Sequence, residues 1–320
     1  MGLFELSEKT PYVIWGYGFL GTVVYNKLRR TRKYDLLGFA DNNPEKSQFY
    51  VAGIKIRNIK DCQQLLKEVD YKVIIASNKW AEIGLQLEAY GIPVVAIFDG
   101  NEIKAYSQKH FEDIDYDNPV VFYAGEIVDD DNLKDPKMIG VCINKGDDKH
   151  ILHDITNPFP VENESIDGFI AEHVLEHIEY SKLVDVINEI YRILKPGATL
   201  RICLPDYNSK YLRDQVMTNE KGIFIFDANG GGTYKEGIIS GGGHVWFPDI
   251  DNVKRLIEKT YFDNYVFLCY RTEQGQLVRN SFNNDYLHLC RANKSLDDEF
   301  FIDMIVDLSK GKGKARNLLE

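Results

Sequence analysis

Short apolar runs and longer stretches of helical spacing alternate along the first hundred residues. Tyr12–Trp15 is a strand-length apolar run that ends at Gly16, and Phe19–Arg30 carries helical spacing. Leu36–Ala40 is a second run, Asp61–Val69 a helix with apolar Leu65, Leu66 and Val69, and Lys72–Ala76 a third strand. Trp80–Tyr90 is helical and Val94–Phe98 a fourth strand. This alternation predicts parallel βαβ units, which right-handed crossovers assemble into an open, doubly wound sheet.

Asp99–Asn118 is more polar and closes with the acidic segment Glu112–Asp117 before Pro119. A domain boundary is expected there, giving domains 1–110 and 118–320. A second α/β series follows, with strands at Val120–Tyr123, Met138–Cys142, Gly168–Ala171 and Thr199–Leu204. Lys182–Leu194 places Leu183, Val186, Ile187, Ile190 and Leu194 on one helical face, and Pro196-Gly197 marks a break. Ala228–Gly243 holds two triple-glycine runs and is expected to be a mobile loop. Ile250–Lys259 is a helix, Tyr265–Tyr270 and Tyr286–Arg291 late strands, Glu299–Leu308 a C-terminal helix and Lys310–Lys314 a loose basic tail. The fold class is therefore α/β, with two Rossmann-like doubly wound domains in tandem.

Composition narrows the partners. The 320 residues suit two domains, and 44% apolar content suffices for two cores. A net charge of −11 disfavours nucleic acid, whose phosphates demand clustered cations. The one basic cluster, Arg29, Arg30, Arg32 and Lys33, fits a solvated helix end. Five scattered cysteines without a CxxC pair fit reduced thiols in the cytoplasm. Met1–Thr10 has no apolar signal core, and no run approaches the ~20 residues of a membrane span. No membrane insertion is expected, and a homo-oligomer stays open.

Gly16-Tyr17-Gly18-Phe19-Leu20-Gly21 fits GxGxxG between a strand and a helix, with Asp41 about twenty residues on. Gly16 would make the tight turn, Gly18 would let backbone approach a phosphate, and Gly21 would pack helix on strand. Asp41 would bond a ribose hydroxyl. Structural glycines of an ordinary α/β turn are the alternative. With Gly38-Phe39-Ala40-Asp41-Asn42-Asn43-Pro44 and Val73-Ile74-Ile75-Ala76-Ser77, this segment resembles the N-terminal Rossmann-like domain of sugar acyltransferases. The resemblance implies a nucleotide or nucleotide-sugar ligand.

A second set of motifs lies downstream. Asp154-Ile155-Thr156-Asn157-Pro158-Phe159-Pro160 comes first, then Ser165-Ile166-Asp167-Gly168-Phe169-Ile170 and Glu172-His173-Val174-Leu175-Glu176-His177-Ile178. Glu189-Ile190-Tyr191-Arg192-Ile193-Leu194-Lys195-Pro196-Gly197 and Leu200-Arg201-Ile202-Cys203-Leu204-Pro205-Asp206 complete the series. Their order and spacing resemble class I S-adenosylmethionine (SAM)-dependent methyltransferases of the type 11 group. The resemblance implies SAM as cofactor, held by Gly125, Asn144, Asp154, Ile155 and Glu172, with a small-molecule or nucleotide-sugar acceptor in surface-polysaccharide synthesis. His173 and His244 are candidate bases for a hydroxyl or amine acceptor. The pattern departs from the family where a D-x-G-x-G loop is expected: Phe122-Tyr123-Ala124-Gly125-Glu126 holds one glycine. After the next strand, Cys142-Ile143-Asn144 replaces an acid with a neutral amide.

Three alternatives accompany this reading. His173-Val174-Leu175-Glu176-His177 has HxxEH spacing, which on a helix would aim two imidazoles at a metal; the methyltransferase context argues against it and no metal is expected. A degenerate methyltransferase fold could serve as a binding or scaffold protein. An NAD-dependent nucleotide-sugar oxidoreductase or epimerase is a third, but no Tyr-x-x-x-Lys element accompanies either glycine turn. Gly241-Gly242-Gly243-His244 suggests a lid or acceptor wall that presents His244, with a surface loop as the plain alternative. Tyr207, Tyr211 and Tyr234 could stack on a sugar or pack in the core.

Overall fold

A computed structural model of the chain describes residues 6–280, 287–291, 298 and 300–311. The chain divides into two compact units: Met1–Lys109 with Asn144–Asp148, and His110–Ile143 with Lys149–Glu320. The second unit begins earlier than residue 118 because Phe111 and Ile114 are buried in its core. The excursion 144–148 returns to the first unit, where Lys109 N–H donates to the Asp147 carbonyl at 2.9 Å. Local sequence pattern carries no trace of that return.

The first unit contains β1 (Tyr12–Trp15), α1 (Phe19–Thr31), β2 (Leu36–Ala40), β3 (Tyr50–Val51), β4 (Ile54–Lys55), α2 (Ile59–Leu66), β5 (Lys72–Ile75), α3 (Trp80–Ala89), β6 (Val94–Phe98) and β7 (Ile103–Ala105). Its five-stranded sheet has the order β2-β1-β5-β6-β7. The first four are parallel and β7 is antiparallel to β6. Covered on both faces, β1 and β5 are near-continuous apolar runs. Asn58 and Asp61 form a capping box that starts α2. The β3–β4 ribbon is too short for a period-2 signal and was not visible as a pattern.

The second unit contains β8 (Val121–Ala124), α4 (Asp130–Lys134), β9 (Met138–Cys142), β10 (His150–Leu152), β11 (Ile166–Glu172), α5 (Leu183–Ile193) and β12 (Leu194–Pro205). There follow α6 (Lys210–Arg213), β13 (Met217–Thr218), β14 (Phe224–Phe226), β15 (Gly231–Lys235), β16 (Ile238–Gly242), α7 (Ile250–Ile257), β17 (Asn264–Arg271), β18 (Leu277–Arg279) and β19 (Asp303–Ser309). Eight strands run in the order β10-β9-β8-β11-β12-β19-β17-β18. The five from β10 to β12 are parallel, and β19 is antiparallel to both β12 and β17. Helix α5 buries Leu183, Val186, Ile187 and Ile190 against this sheet, as its spacing predicts, together with Ile193, while Leu194 starts β12 instead of ending the helix. Strand order reverses between β1 and β5 in the first unit and between β8 and β11 in the second. Open α/β sheets bind ligands outside the carboxyl ends at such points.

Four expectations change. Glu299–Leu308 is not a helix: β19 occupies an inner position of the sheet, and burial on both faces gives Met304-Ile305-Val306 its apolar run (Glu299 lies outside the described residues). The tail at Lys310–Lys314 does not begin loose. Lys310 is buried, donating to the carbonyls of Tyr191 at 3.0 Å and Leu194 at 2.7 Å, at the negative end of α5; residues 312–314 lie outside the described residues. Pro196-Gly197 does not end a helix before a loop, since β12 starts at Leu194 and passes through both as an irregularity in its pairing with β11. Residues 287–291 are not a strand, although Leu287 and Leu289 are buried; Tyr286 lies outside the described residues.

Among the described residues, no helix is long and apolar enough to cross a membrane.

Candidate functional site

In the second unit a cavity of about 370 Å³ opens where β8, β9 and β11 end. Gly125 lines it with φ +97°, a left-handed conformation that favours glycine. Val141 and Ile143 come from β9 and its end, and Asp154, Ile155 and Thr156 from the segment after β10. His173, Val174, His177 and Ile178 follow β11, and Gly242 closes β16. Asp154 is exposed, and its Oδ1 accepts from the Thr156 backbone at 2.9 Å and hydroxyl at 2.8 Å, in a turn that leaves Oδ2 for a ligand.

The structure thus brings together Gly125, Asp154, Ile155 and His173 of the residues singled out from sequence. Asn144 does not line the cavity; Ile143, one residue earlier, does. Glu172 is corrected from cofactor ligand to structural anchor. It is fully buried, does not line the cavity, and accepts from the Tyr123 hydroxyl at 2.8 Å and the backbone of Cys290 and Arg291 at 2.7 Å each.

His173 is also corrected. It follows β11 with φ +53°, and its ring sits between two buried acids. Nε2 is 3.0 Å from Asp303 Oδ1, and Nδ1 is 3.3 Å from Glu176 Oε1. Burial opposes a charge here, but the contacts to Asp303, Cys203 and Glu176 outweigh it and raise the pKa far above the usual imidazole range. With both ring nitrogens facing these acids, neither is left to take a proton from an acceptor.

His244 is buried and does not line the cavity, so it is not presented to an acceptor by a lid. Gly231–Gly242 is a β15–β16 hairpin, not a patternless loop: Glu236 and Gly237 both have positive φ, which two-residue hairpin turns demand. Val245 N–H donates to the Glu176 carbonyl at 2.9 Å and Trp246 Nε1 to that of Leu175 at 2.8 Å. These bonds press His244 against Glu176. A Cβ on Gly230 would come 2.5 Å from the His244 ring, so glycine there makes room for it. Burial, the largest influence, lowers the pKa of His244. Tyr207 is buried against His244, while Tyr211 is exposed.

His177, weighed from sequence only as a partner of His173 in a helical metal motif, lines the cavity, and its Nδ1 donates to the Gly243 carbonyl at 2.9 Å. Its HxxEH spacing was the available signal. That motif is not a continuous helix; only Leu175–His177 form a single 3-10 turn.

The first unit has its own crevice, of about 400 Å³, at the ends of β1 and β5, lined by Gly16, Gly18, Asp41, Lys46 and Ser77 among others. Gly16 has φ +108°, and a Cβ there would be 2.7 Å from the Ala76 carbonyl oxygen. Gly18 faces open space. Asp41 Oδ2 accepts from Tyr17 N–H at 2.7 Å and from Lys46 Nζ at 2.8 Å, so this acid braces the glycine turn.

With this geometry in place, comparison with known proteins adds a match over part of the second unit. Residues 134–202 match a family model described as a methyltransferase domain. The match runs from the end of α4 into β12 and contains Asp154, Ile155, His173 and His177. No curated protein matches the chain. Among solved structures, a SAM-dependent methyltransferase from Archaeoglobus fulgidus is similar at 15% identity, over 60% of this chain and 86% of that one, with a TM-score of 0.38. A SAM-dependent methyltransferase from Methanosarcina mazei gives 15% identity over 60% and 92%, with a TM-score of 0.37. UDP-D-quinovosamine 4-dehydrogenase from Vibrio fischeri gives 21% identity over 31% and 94%, with a TM-score of 0.28. At these values the structural similarities carry no argument about activity.

Proposed function

We propose that the second unit binds SAM in the β8–β9–β11 cavity and methylates a small molecule. The observation that carries this is the convergence of Gly125, Asp154 and Ile155 on one cavity at the strand-order reversal, inside or beside the matched segment. The cavity volume lies in the range of small-ligand sites. Asp154 Oδ2 would accept from the adenine amino group, and Gly125 would let backbone approach the cofactor. When bound, SAM supplies a methyl group on a positively charged sulfur. Ile143, where an acid would bond the ribose, leaves that edge apolar.

Neither His173 nor His244 is placed to take a proton from an acceptor, so the contribution of this chain is positioning and exclusion of water. The first unit would hold a nucleotide-type ligand, with phosphate at Gly18 and the start of α1 and with Gly16 and Gly21 shaping the turn. Asp41 would act through its brace on Tyr17. A sugar or nucleotide-linked sugar as acceptor, in surface-polysaccharide synthesis, is the finer reading, and the pairing of the two domains supports it by analogy. Five free cysteines fit a reducing, cytoplasmic setting.

Titration calorimetry of the full chain with SAM tests the reading. Binding is expected, and Asp154→Ala should weaken it at least about tenfold, or ~1.4 kcal/mol, with the melting temperature unchanged because the side chain is exposed. Absence of heat and of thermal stabilisation with SAM would favour a binding protein without turnover, the reading that Ile143 supports.

A further inference from the structure

We propose that Glu176, His177 and His244 form a binding site for one divalent transition-metal ion at the edge of the cavity. Glu176 is fully buried, and neither of its carboxylate oxygens accepts a hydrogen bond. A buried carboxylate in that condition is costly unless cations meet it, and the one imidazole near Oε1 besides those of His177 and His244, His173 Nδ1 at 3.3 Å, is shared with Asp303. Two imidazole nitrogens face it: Nε2 of His177 lies 3.9 Å from Oε1, and Nε2 of His244 lies 3.8 Å from the same oxygen.

The far nitrogen of each ring is already engaged. A carbonyl only accepts, so the Gly243 oxygen fixes the His177 proton on Nδ1. The Tyr207 hydroxyl donates to Asp227 Oδ2 at 2.7 Å, which leaves its oxygen to accept from His244 Nδ1 at 2.5 Å. In the neutral rings both Nε2 atoms are then bare and face Glu176 Oε1, which His173 Nδ1 approaches from 3.3 Å. Metal-ligating histidines are oriented in this way, through a hydrogen bond from the other ring nitrogen.

The ligand atoms lie within 4.8 Å of one another. An ion with bonds of about 2.0–2.2 Å needs its ligand atoms roughly 3–3.5 Å apart, so small side-chain rotations close the set. Two histidines with one carboxylate suit zinc, ferrous iron and their neighbours. Three buried acids lie near the point, Glu176 and Asp303 on either side of the His173 ring and Asp227 behind Tyr207. His177 lines the cavity, so an open coordination position would face a ligand there. The HxxEH spacing suggested His173 with His177, but His173 is paired with Asp303. The structure instead assembles Glu176 and His177 with His244, which lies far along the chain. The sequence expectation of no metal is revised accordingly.

The test is cobalt(II) titration of the full chain after chelation and dialysis, followed by visible absorption, with zinc as competitor. One cobalt per chain, with ligand-field bands that zinc abolishes, is expected. His177→Ala and His244→Ala should each weaken binding at least about 100-fold, and Tyr207→Phe, which frees the His244 ring, by about 10–100-fold. Circular dichroism checks folding, and the half-exposed His177 gives the deciding variant if His244→Ala does not fold. No cobalt binding, or binding of equal strength in wild type and His177→Ala, would overturn the proposal. SAM calorimetry on the same metal-free samples reports on SAM binding separately, since the metal site does not rest on that reading.

Discussion

A Cβ on Gly21 would sit 1.9 Å from the Gly16 carbonyl oxygen, so the third glycine of the turn is fixed by helix-on-strand contact. Gly21→Ala should destabilise the first unit by about 1–3 kcal/mol, as overpacking does, measurable by urea denaturation. Asp206 shows what buried charge does at single-residue scale. Burial lifts its pKa to about 6, against backbone bonds from Arg271 and Asn208 that favour the charge. A carboxyl whose folded pKa exceeds its ordinary value of 3.8 contributes stability fully below that value and loses it as pH rises to about 6. Wild type should therefore lose about 2–3 kcal/mol relative to Asp206→Asn between pH 4 and 6.5. A constant difference across that interval in denaturant melts would show that Asp206 does not titrate there. Glycine roles were legible because they follow from backbone sterics. The pairing of His173 with Asp303 was not, because its partner lies 130 positions away on another strand.

At the scale of elements, β12 and β19 are joined through Arg201. Its guanidinium holds Asp307 by Nε at 2.8 Å and Nη2 at 2.7 Å, and Nη1 donates to the Leu287 carbonyl at 2.6 Å. Arg201 and Asp307 face each other in the register of the two strands. Asp307→Ala removes both of these bonds from a buried guanidinium and should cost about 3–5 kcal/mol, read from the denaturation midpoint of the second unit. Helix α5 was legible because burial on one face prints a helical period, and strands β1, β5, β9 and β11 because burial on both faces leaves short apolar runs. β19 was missed for the same physical reason in reverse. An inner antiparallel strand buried on both sides lacks alternation, and a short apolar run of that kind does not separate strand from helix. The β15–β16 hairpin was hidden by glycines, which carry no side-chain pattern.

For the whole molecule, separate cores imply separate unfolding. Val13, Trp15, Val73 and Ile75 belong to the core of the first unit, and Phe122, Phe169 and Ile187 to that of the second. Scanning calorimetry should show two transitions. Saturating SAM, at about 100 times its dissociation constant, adds about 2.7 kcal/mol and should raise the transition of the second unit by roughly 5–10 °C. Gly21→Ala should lower the other transition alone. A single transition, or a ligand shift shared by both, would overturn this division.

The sequence by itself determined the two α/β series, the positions of both strand-order reversals' glycine turns and the methyltransferase-like motif order. These are local properties, written in side-chain period and backbone permissiveness. Tertiary structure decided which acids face a ligand and which face the core. It turned Glu172 into an anchor, left Asp154 at the cavity, clamped His173 between two carboxylates and folded a glycine-rich hairpin so that His244 meets Glu176 and His177. Those outcomes depend on residues far apart in the chain meeting in a low-dielectric interior, where one partner decides the charge of another.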